Sequence, residues 1–437
     1  MFDMHGLMLT VRRARRAAVA VVCVCAVAPA GAQQPPPDAS FVLEKVAVTG
    51  LKRYSAEEVV RTSGLSAGTS VRLAELEGAA SRMAETGLFD KVSYRYATAS
   101  NRVTVTLEIV EATWTMPVVF DNFVWMTAAE LTSEIGRDMP TFDGTVPGTD
   151  GARITLAKTL QKSLGSRGLP GTVEVVPFLK LKTKAQQYVA KVTNPSPRVC
   201  AVRTTGTSPA MEKEVKAVTD PLSGTDYSRA YLVGMSAGTL LGVYHKRGHW
   251  AAVVGAPEAS FDSSCGGVVV SLAFDEGSVY QWDGADWNGN SRLPADQLIP
   301  LLPFRSGDVA DSTKLDDGIR RVRDLYGTVG HLAAAVTYVA HVTPSTQRVR
   351  FAMEVAEGPQ FRMGTLTVTG LAPQDAANLQ KKWKLKPGDV YSTAAAQVFF
   401  REELVPLLRQ KGLRSDGLEL KAGTVPQTLD VTINARK

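Results

Sequence analysis

One short motif in this sequence has the residue types of a hydrolytic active site. Residues 234–238 fit the Gly-x-Ser-x-Gly pattern of a nucleophile elbow with Ser236 at its centre, and the strand-like residues 231–233 precede them. Three further side chains with the chemistry of a catalytic triad follow downstream: His245, His249 and Asp262. A serine hydrolase that uses Ser236 is therefore one hypothesis, and such an elbow requires a large parallel sheet beneath it.

Two cysteines remain once the N-terminal segment is set aside. Residues 1–32 contain four arginines, an apolar run and small residues before Gln33, which is the pattern of a secretory signal peptide. An exported protein meets an oxidising compartment, so we expect Cys200 and Cys265 to form a disulfide or to be two buried thiols. Their spacing and the five histidines give no metal-site pattern, and no cofactor is expected.

The charge of the chain argues against nucleic acid as a partner. Without residues 1–32, which carry four basic residues and one acidic residue, the formal net charge falls from +6 to +3. No clustered Arg and Lys face and no aromatic RNA-binding signature appears in the remainder. No apolar run of eighteen residues follows Gln33, so we expect no membrane-spanning helix there.

The elements that would position these residues recur along the chain. Residues 306–358 read as one complete unit: a helix, Gly330 as its end, an apolar strand over residues 332–339, a polar turn, and an alternating strand. The helix buries one face, because its apolar residues recur at steps of three and four: Leu315, Ile319, Val322 and Leu325. Asp311 or Ser312 is expected to cap it.

Two sets of residues reveal five copies of this unit. The helix-ending glycines are separated by 81, 80, 82 and 82 residues: Gly87, Gly168, Gly248, Gly330 and Gly412. A second set follows the first strand of each copy: Gly50, Asn122, Gly206, Gly289 and Gly370. Asn is the other residue that tolerates a left-handed turn, so Asn122 is expected to replace glycine in that conformation. A period of about 80 residues indicates a tandem array.

The order of elements within each copy is β-α-α-β-β. After a Pro-rich linker at residues 33–40, we place the five units at residues 41–112, 113–195, 196–277, 278–358 and 359–437. Capping boxes are predicted at Ser55 with Glu58 and at Thr127 with Glu130. Pro406 lies inside the second helix of the last unit, where it should kink or stop the helix.

The repeat alignment gives the Gly-x-Ser-x-Gly motif a second interpretation. It places Ser236 in the second helix of the third unit instead of at the end of a strand. Gly234, Gly238 and Gly242 then recur every four residues and form a stripe that could let this helix lie close to a neighbour. This interpretation predicts no catalysis.

Several motifs resemble those of a known family. The run Val-Ala-Val-Thr-Gly-Leu at residues 46–51, Tyr54 with Ser55, and the Glu-Gly junctions at residues 276–277 and 357–358 resemble the polypeptide-transport-associated (POTRA) domains of outer-membrane assembly factors, the surface-antigen family. The resemblance implies an α+β fold: five tandem domains in an elongated array, each a three-stranded mixed sheet covered by two helices, with the first and third strands parallel. In that family a membrane β-barrel follows the last domain. No alternating ten-residue strands follow here, so we expect an array without the barrel.

The resemblance also implies a function. It suggests a periplasmic, non-enzymatic scaffold or chaperone, associated at most peripherally with the outer membrane, that binds β-barrel proteins or their unfolded precursors. A separately encoded barrel or assembly lipoproteins are further candidate partners. The alternative is a periplasmic adaptor of a secretion or cell-division complex.

The proposed mode of binding is β-augmentation, in which an extended segment adds to an exposed strand edge. The second strands of the units are the candidates: residues 91–96, 173–179, 251–254 and 332–338. Our principal candidate is the last, with Leu332, Ala334, Val336 and Tyr338. The alternative is that these apolar side chains belong to the core of each unit. Arg348 and Arg350 are expected to lie on a solvated strand face.

Overall fold

The computed structural model describes residues 22–23, 38–180 and 183–437. The predicted signal peptide lies outside the described residues, apart from a short strand β1 (Val22–Cys23). The described residues form two compact units. The first reaches Val202 and also holds Leu222–Tyr231 and Glu258–Val270, and the second comprises the other described residues as far as Lys437. Segments of the third repeat therefore belong to both.

The first repeat builds a sheet in which its first and last strands are parallel neighbours. Its elements are β2 (Ser40–Thr49), α1 (Ala56–Ser63), β3 (Ser70–Arg72), α2 (Leu73–Glu85), β4 (Phe89–Ala99) and β5 (Arg102–Glu111). The strand order is β1-β4-β5-β2-β3, with β2 parallel to β5 and β4 antiparallel to β5. The predicted capping box of Ser55 and Glu58 is confirmed.

The second repeat has the same plan and shares one continuous apolar core with the first. Its elements are β6 (Thr115–Phe120), α3 (Ala128–Asp138), β7 (Thr145–Pro147), α4 (Asp150–Ser166), β8 (Thr172–Leu179) and β9 (Gln186–Thr193). The strand order is β7-β6-β9-β8, and β6 is parallel to β9. The capping box of Thr127 and Glu130 is confirmed.

The third repeat interrupts its second helix with a π-helical turn. Its elements are β10 (Val199–Thr205), α5 (Pro209–Thr219), a 3₁₀ turn (Asp220–Leu222), α6 (Arg229–Met235), the π turn (Ser236–Leu240), α7 (Leu241–His245), β11 (Val253–Val254), β12 (Glu258–Asp262) and β13 (Gly267–Asp275). The strand order is β10-β13-β11, and β12 also pairs with β13.

The fourth repeat is a three-stranded sheet with the order β14-β16-β15, in which β14 is parallel to β16. Its elements are β14 (Gln281–Asn288), α8 (Ala295–Leu298), a 3₁₀ turn (Ile299–Leu301), α9 (Ser312–Thr328), β15 (Ala335–Thr343) and β16 (Arg348–Ala356). Asp311 is the N-cap of α9, because its carboxylate accepts a hydrogen bond from the Thr313 N–H at 2.7 Å.

The fifth repeat has the order β17-β19-β18, again with parallel first and last strands. Its elements are β17 (Arg362–Thr369), α10 (Pro373–Lys382), α11 (Thr393–Phe399), a π turn (Phe400–Leu404), α12 (Val405–Gln410), β18 (Leu418–Ala422) and β19 (Thr428–Asn434). Pro406 does not stop the helix. It lies at the start of α12, directly after the π turn, where the wider turn accommodates a residue that has no N–H to donate.

The predicted α+β class with five β-α-α-β-β units is confirmed. One feature was not predicted: the segment before each second helix pairs with the first strand, as β3 and β7 in the first two repeats. In the other three repeats it forms single bridges: Arg198 with Asp226, Gln281 with Val309, and Arg362 with Val390. None of the helices in the described ranges has the length and apolar composition that crossing a bilayer requires.

The helix-ending glycines adopt the predicted left-handed conformation. Their φ angles lie between +64° and +87°: Gly87, Gly168, Gly248, Gly330 and Gly412. The prediction for Asn122 is wrong, because Asn122 is not among the described residues with positive φ. Its buried side-chain amide instead donates to the Val192 carbonyl at 2.9 Å and accepts the Val192 N–H at 2.7 Å. The Asn122 side chain thus extends the ladder between first and last strands by acting as a peptide group.

Candidate functional site

Strand β15 forms one outer edge of the fourth sheet. It is antiparallel to β16 over nine residues, from the pair Ala335 and Ala356 to the pair Thr343 and Arg348. Within the described chain, hydrogen bonds to the β15 main chain come only from β16 and from the turn that follows. Because main-chain groups of successive residues point to opposite edges, alternate residues of β15 present N–H and C=O groups outward.

The strand begins later than predicted. Residues 331–334 form a turn, in which the Ala334 N–H donates to the His331 carbonyl at 3.2 Å, so β15 starts at Ala335 and not at residue 332. Leu332 lies outside the strand and packs against the core of the fifth repeat. The turn forms because helix α9 must reverse into the sheet, and apolar composition alone does not reveal it.

The two candidate side chains within the strand face inward: Val336 and Tyr338 pack against the core of the fourth repeat. Ala334, in the turn before the strand, is also buried. The ring of Tyr338 lies edge-on to that of Phe351 at 5.6 Å. The outward surface therefore consists of the main-chain edge and of side chains such as Val339, which is 60% exposed. A partner would contact main-chain groups first.

The edge of β8 in the second sheet is covered by helix α4. The Gln161 side-chain amide accepts the Val173 N–H at 2.7 Å and donates to the Gly171 carbonyl at 3.2 Å. Arg153 donates to the Val175 carbonyl at 3.3 Å. These three hydrogen bonds use main-chain groups that an added strand would need.

Among the described residues, the corresponding edge of the first sheet is paired only by a segment of the predicted signal peptide: Val22 and Cys23 of β1 are parallel to Ser93 and Tyr94 of β4. The third sheet offers only two residues in β11, against the four predicted for residues 251–254. Among the other three predicted edges, β15 is the longest, and no other described segment or side chain has docked on it.

In the fourth repeat, a buried tyrosine of α9 binds the glutamate that follows β16. The Tyr326 hydroxyl donates to the Glu357 carboxylate at 3.1 Å, and the Arg292 N–H donates to the same oxygen at 2.6 Å. His331 Nδ1 lies 3.1 Å from the Gly358 carbonyl oxygen. Burial and the adjacent carboxylate raise the pKa of Tyr326, so its hydroxyl remains a donor.

The third repeat contains the same arrangement. The Tyr244 hydroxyl donates to Glu276 at 3.2 Å, the Ser208 N–H donates to Glu276 at 2.8 Å, and His249 Nδ1 lies 3.0 Å from the Glu276 carbonyl oxygen. Burial raises the pKa of Tyr244 to about 12. The shared pattern Tyr-x-x-x-Gly-His at residues 244–249 and 326–331 carries this signal, of which the sequence analysis used only the glycines.

Two of the helix-ending glycines, Gly248 and Gly330, also form main-chain hydrogen bonds with the repeat that follows. The Gly248 carbonyl accepts the Tyr280 N–H at 2.8 Å, and the Gly330 carbonyl accepts the Phe361 N–H at 2.8 Å. A Cβ at either glycine would lie within 3.0 Å of atoms of the following repeat. Trp250 strengthens the first joint, because its indole N–H donates to the Ala310 carbonyl at 2.5 Å and its ring packs on Phe351. In the second compact unit, successive repeats are therefore tightly joined.

The nucleophile-elbow hypothesis does not fit the structure. Residues 231–233 belong to helix α6 and not to a strand, and Ser236 begins the π turn. Its hydroxyl is buried without a hydrogen-bond partner in the described chain. His249 binds the carbonyl at the repeat junction, and His245 stacks on Trp250 at 4.4 Å. The strand-turn-helix geometry that exposes a nucleophile is absent around Ser236.

The predicted packing of the glycine stripe is also wrong. No described atom of a neighbouring element lies within 4 Å of the position that a Cβ would take at Gly234, Gly238 or Gly242. Within the part of the chain that the structure describes, the stripe is an uncovered helix surface. Among the described residues, no group of three or more His, Cys, Asp or Glu side chains is placed to hold a metal ion.

The two cysteines of the third repeat form a disulfide. It joins Cys200 in β10 to Cys265, just before β13, with the two Cα atoms 6.3 Å apart.

The two arginines of β16 form ion pairs on the solvent face of the fourth sheet. Arg350 makes two hydrogen bonds of 2.6 Å to Asp286, and Arg348 binds Asp283 at 2.9 Å. These exposed pairs contribute little to stability.

Glu111 should make the first repeat sensitive to acid. Burial alone would raise its pKa, but hydrogen bonds from the N–H groups of Lys52, Arg53 and Tyr54 outweigh burial and hold the pKa below its ordinary value of 4.5. The carboxylate therefore stabilises the fold above pH 4.5, and this contribution is lost as the pH falls through the lowered pKa.

We expect Glu111→Gln to cost about 2 kcal/mol at pH 7 and to flatten the acid limb of stability, because a neutral amide oxygen accepts more weakly than a carboxylate and the NH₂ group cannot accept the Arg53 N–H that Oε2 binds. Urea unfolding between pH 7 and pH 3 measures both effects. Glu58→Gln at the exposed capping box is the control, with an expected cost of about 0.5 kcal/mol. Equal costs for the two variants would contradict the assignment.

Comparison with known proteins identifies part of the chain. Residues 41–112 and 280–358 match the POTRA family model, described as surface antigen variable number repeat. These two segments are POTRA domains. The other three repeats have the POTRA order of elements in this structure.

Curated relatives and solved structures are similar to parts of this chain. The "Putative outer membrane protein assembly factor" of Treponema pallidum (strain Nichols) is 20% identical over 176 residues, which are 40% of this chain. The chain spans 20% of that relative's length. The crystal structure of Haemophilus influenzae BamA POTRA3-5 shares 15% identity, covering 55% of this chain and 96% of that one, with a TM-score of 0.38. The N-terminal domain of Omp85 from Thermosynechococcus elongatus shares 18% identity over 56% of this chain and 99% of that one, with a TM-score of 0.25.

Proposed function

We propose that this chain is a periplasmic protein-binding scaffold in outer-membrane β-barrel protein assembly. The observation that carries the proposal is the undocked nine-residue edge of β15 in a POTRA domain. A curated relative described as an outer membrane assembly factor supports the pathway. The partners are outer-membrane β-barrel proteins or their unfolded precursors, and the chain performs no chemistry.

Binding occurs by addition of an extended segment to β15. Outward main-chain groups supply the hydrogen bonds, so affinity depends weakly on the partner's sequence, as a scaffold for many precursors requires. The inward-facing side chains of Val336 and Tyr338 pack against the core and fix the strand on the sheet. By contrast, the edge of β8 is closed by Gln161 and Arg153.

In-cell crosslinking tests this function. A photo-crosslinking residue at Val339, which is 60% exposed, should capture outer-membrane barrel proteins or their precursors. Val339→Pro and Ala340→Pro form a matched pair, because the N–H groups of adjacent strand residues point to opposite edges. One of the two variants removes an N–H that points outward, and the other removes an N–H that bonds to β16. The variant without the outward N–H should keep its melting temperature but lose the capture of partners by a crosslinker at Thr337.

The periplasmic adaptor of a secretion or cell-division complex is the competing function. Recovery of inner-membrane or septal proteins alone would contradict a role in barrel assembly and favour the adaptor. Capture that persists in both folded proline variants would contradict β15 as the binding edge.

A further inference from the structure

The hairpin of β8 and β9 extends beyond the apolar core of the second repeat. On the core face of β8, Val173 and Val175 are buried, but Pro177 and Leu179 further along the same face are exposed. On β9, the first buried residue is Tyr188. The end of this hairpin therefore presents side chains on both of its faces to solvent.

The exposed side chains of this hairpin end, residues 176–180 and 183–187, are largely apolar or basic. Val176 is 38% exposed, Phe178 is 52% exposed and Leu179 is 43% exposed. Lys180 and Lys184 beside the turn are also exposed. Residues 175–190 contain three lysines and no Asp or Glu. The hairpin end thus combines apolar surface with positive charge.

The apolar surface continues onto the outer face of the second sheet. Val119, Val189 and Val176 lie side by side on β6, β9 and β8. They point away from the core, because their neighbours Val118 and Tyr188 pack into it. The outer face of the fourth sheet instead carries the ion pairs of the two β16 arginines.

The repeat plan does not require this composition. The corresponding hairpin ends of the first and fourth repeats, residues 97–101 and 343–347, contain no lysine and no large apolar side chain except that of a proline. Since those repeats form the same hairpin without them, folding alone does not account for the exposed Phe178, Leu179 and lysines. Exposed apolar patches with a polar rim are typical of interaction sites.

The size and charge of this surface favour a lipid bilayer over a folded protein as the partner. A standard protein interface buries about 800 Å² on each side, which a few partly exposed apolar side chains do not supply. A bilayer needs less, because apolar side chains enter between the headgroups while lysines on long stems reach the phosphates. The positive charge is complementary to anionic headgroups.

We propose that the hairpin end binds the surface of a bilayer that contains anionic phospholipid. Phe178 and Leu179, on opposite faces of β8, enter the boundary between headgroups and acyl chains. Lys180 and Lys184 bind the phosphates. The Lys180 N–H donates to the Ala185 carbonyl at 2.9 Å and the Lys184 N–H to the Lys180 carbonyl at 2.7 Å, so these main-chain groups do not need water there. The proposal is independent of partner binding at β15.

Flotation of the whole chain, purified after export, with lipid vesicles tests the proposal. The vesicles are phosphatidylcholine with or without about 30 mol% phosphatidylglycerol. A lysine near an anionic surface contributes about fivefold to binding, so the double variant Lys180→Gln, Lys184→Gln should bind the anionic vesicles about 25-fold more weakly. Phe178→Ser should weaken this binding about fivefold. Neither variant should lower the melting temperature, because the three side chains are exposed.

Matched controls separate the hairpin end from the rest of the surface. The double variant Lys381→Gln, Lys384→Gln changes two exposed lysines of the fifth repeat, and Val339→Ser changes an apolar side chain that is 60% exposed on β15. Both should leave vesicle binding unchanged. A polarity-sensitive fluorophore on Thr183→Cys should brighten with the anionic vesicles, whereas the same label on Ser100→Cys, in the first repeat's hairpin, should not.

The outcomes distinguish this proposal from the proposed function. Equal flotation with and without phosphatidylglycerol, or an equal loss in the fifth-repeat lysine variant, would overturn it. If vesicles did not bind and a crosslinker at Phe178 captured an envelope protein, the hairpin end would be a protein interface and the bilayer proposal would be wrong. The β15 proline variant without the outward N–H should still bind vesicles, so failed partner capture there overturns the proposed function alone.

Discussion

Replacing Gly289 with alanine should destabilise the fourth repeat by about 4 kcal/mol. Gly289 has a φ of +74°, and a Cβ there would lie 2.2 Å from the Val355 carbonyl oxygen. The left-handed conformation costs an L-residue about 1–2 kcal/mol, and relieving the clash at the end of the parallel ladder adds about 1–3 kcal/mol. Equilibrium unfolding in urea, followed by the fluorescence of Trp282 and Trp287 in the same sheet, measures the loss.

Gly307→Ala provides the matched control for this prediction. Gly307 has a φ of +85°, yet nothing lies within 4 Å of the Cβ position. The substitution therefore carries only the conformational cost, about 1–2 kcal/mol. Similar losses at the two positions would show that contact with the last strand is not what requires glycine at residue 289.

Loss of the disulfide should have a comparable effect on the third repeat. Cys200 and Cys265 are separated by 65 residues, for which the chain-entropy model predicts about 4 kcal/mol of stabilisation. We expect the double variant Cys200→Ser, Cys265→Ser to unfold at lower urea concentration, and reduction of the native chain to give the same midpoint.

The double variant is its own control for the reductant, because its midpoint should not respond to dithiothreitol. An unchanged midpoint on reduction of the native chain would contradict a stabilising role for this bond. Single cysteine variants are not suitable, since the remaining thiol can form bonds between molecules.

Spacing predicted the repeat plan because backbone geometry limits the residues at certain points. A helix that must end and reverse needs a left-handed residue, so Gly87, Gly248 and Gly330 recur at nearly constant intervals. The same reasoning failed at Asn122, where a side chain replaces a peptide group without left-handed backbone. Periodicity identifies the position after the first strand, but it does not tell whether a left-handed glycine or a side-chain amide occupies it.

The candidate site was predicted only in part. Alternating apolar residues identified β15, but the pattern could not show that residues 331–334 form a turn. The pattern also could not show that the Gln161 side chain of α4 binds the edge of β8. That contact joins a helix and a strand, and neither segment carries a sequence signal for it.

The parallel pairing of first and last strands has a mechanical consequence. In the fourth repeat, β14 and β16 are parallel neighbours, so the chain runs into the sheet at one end and leaves at the other. The fifth repeat repeats this geometry with β17 and β19. Tension on the two chain ends would load the hydrogen bonds of these ladders in shear, so that they must break together and not one by one. Each such repeat is thereby built to remain folded under a pulling force that would unzip a hairpin.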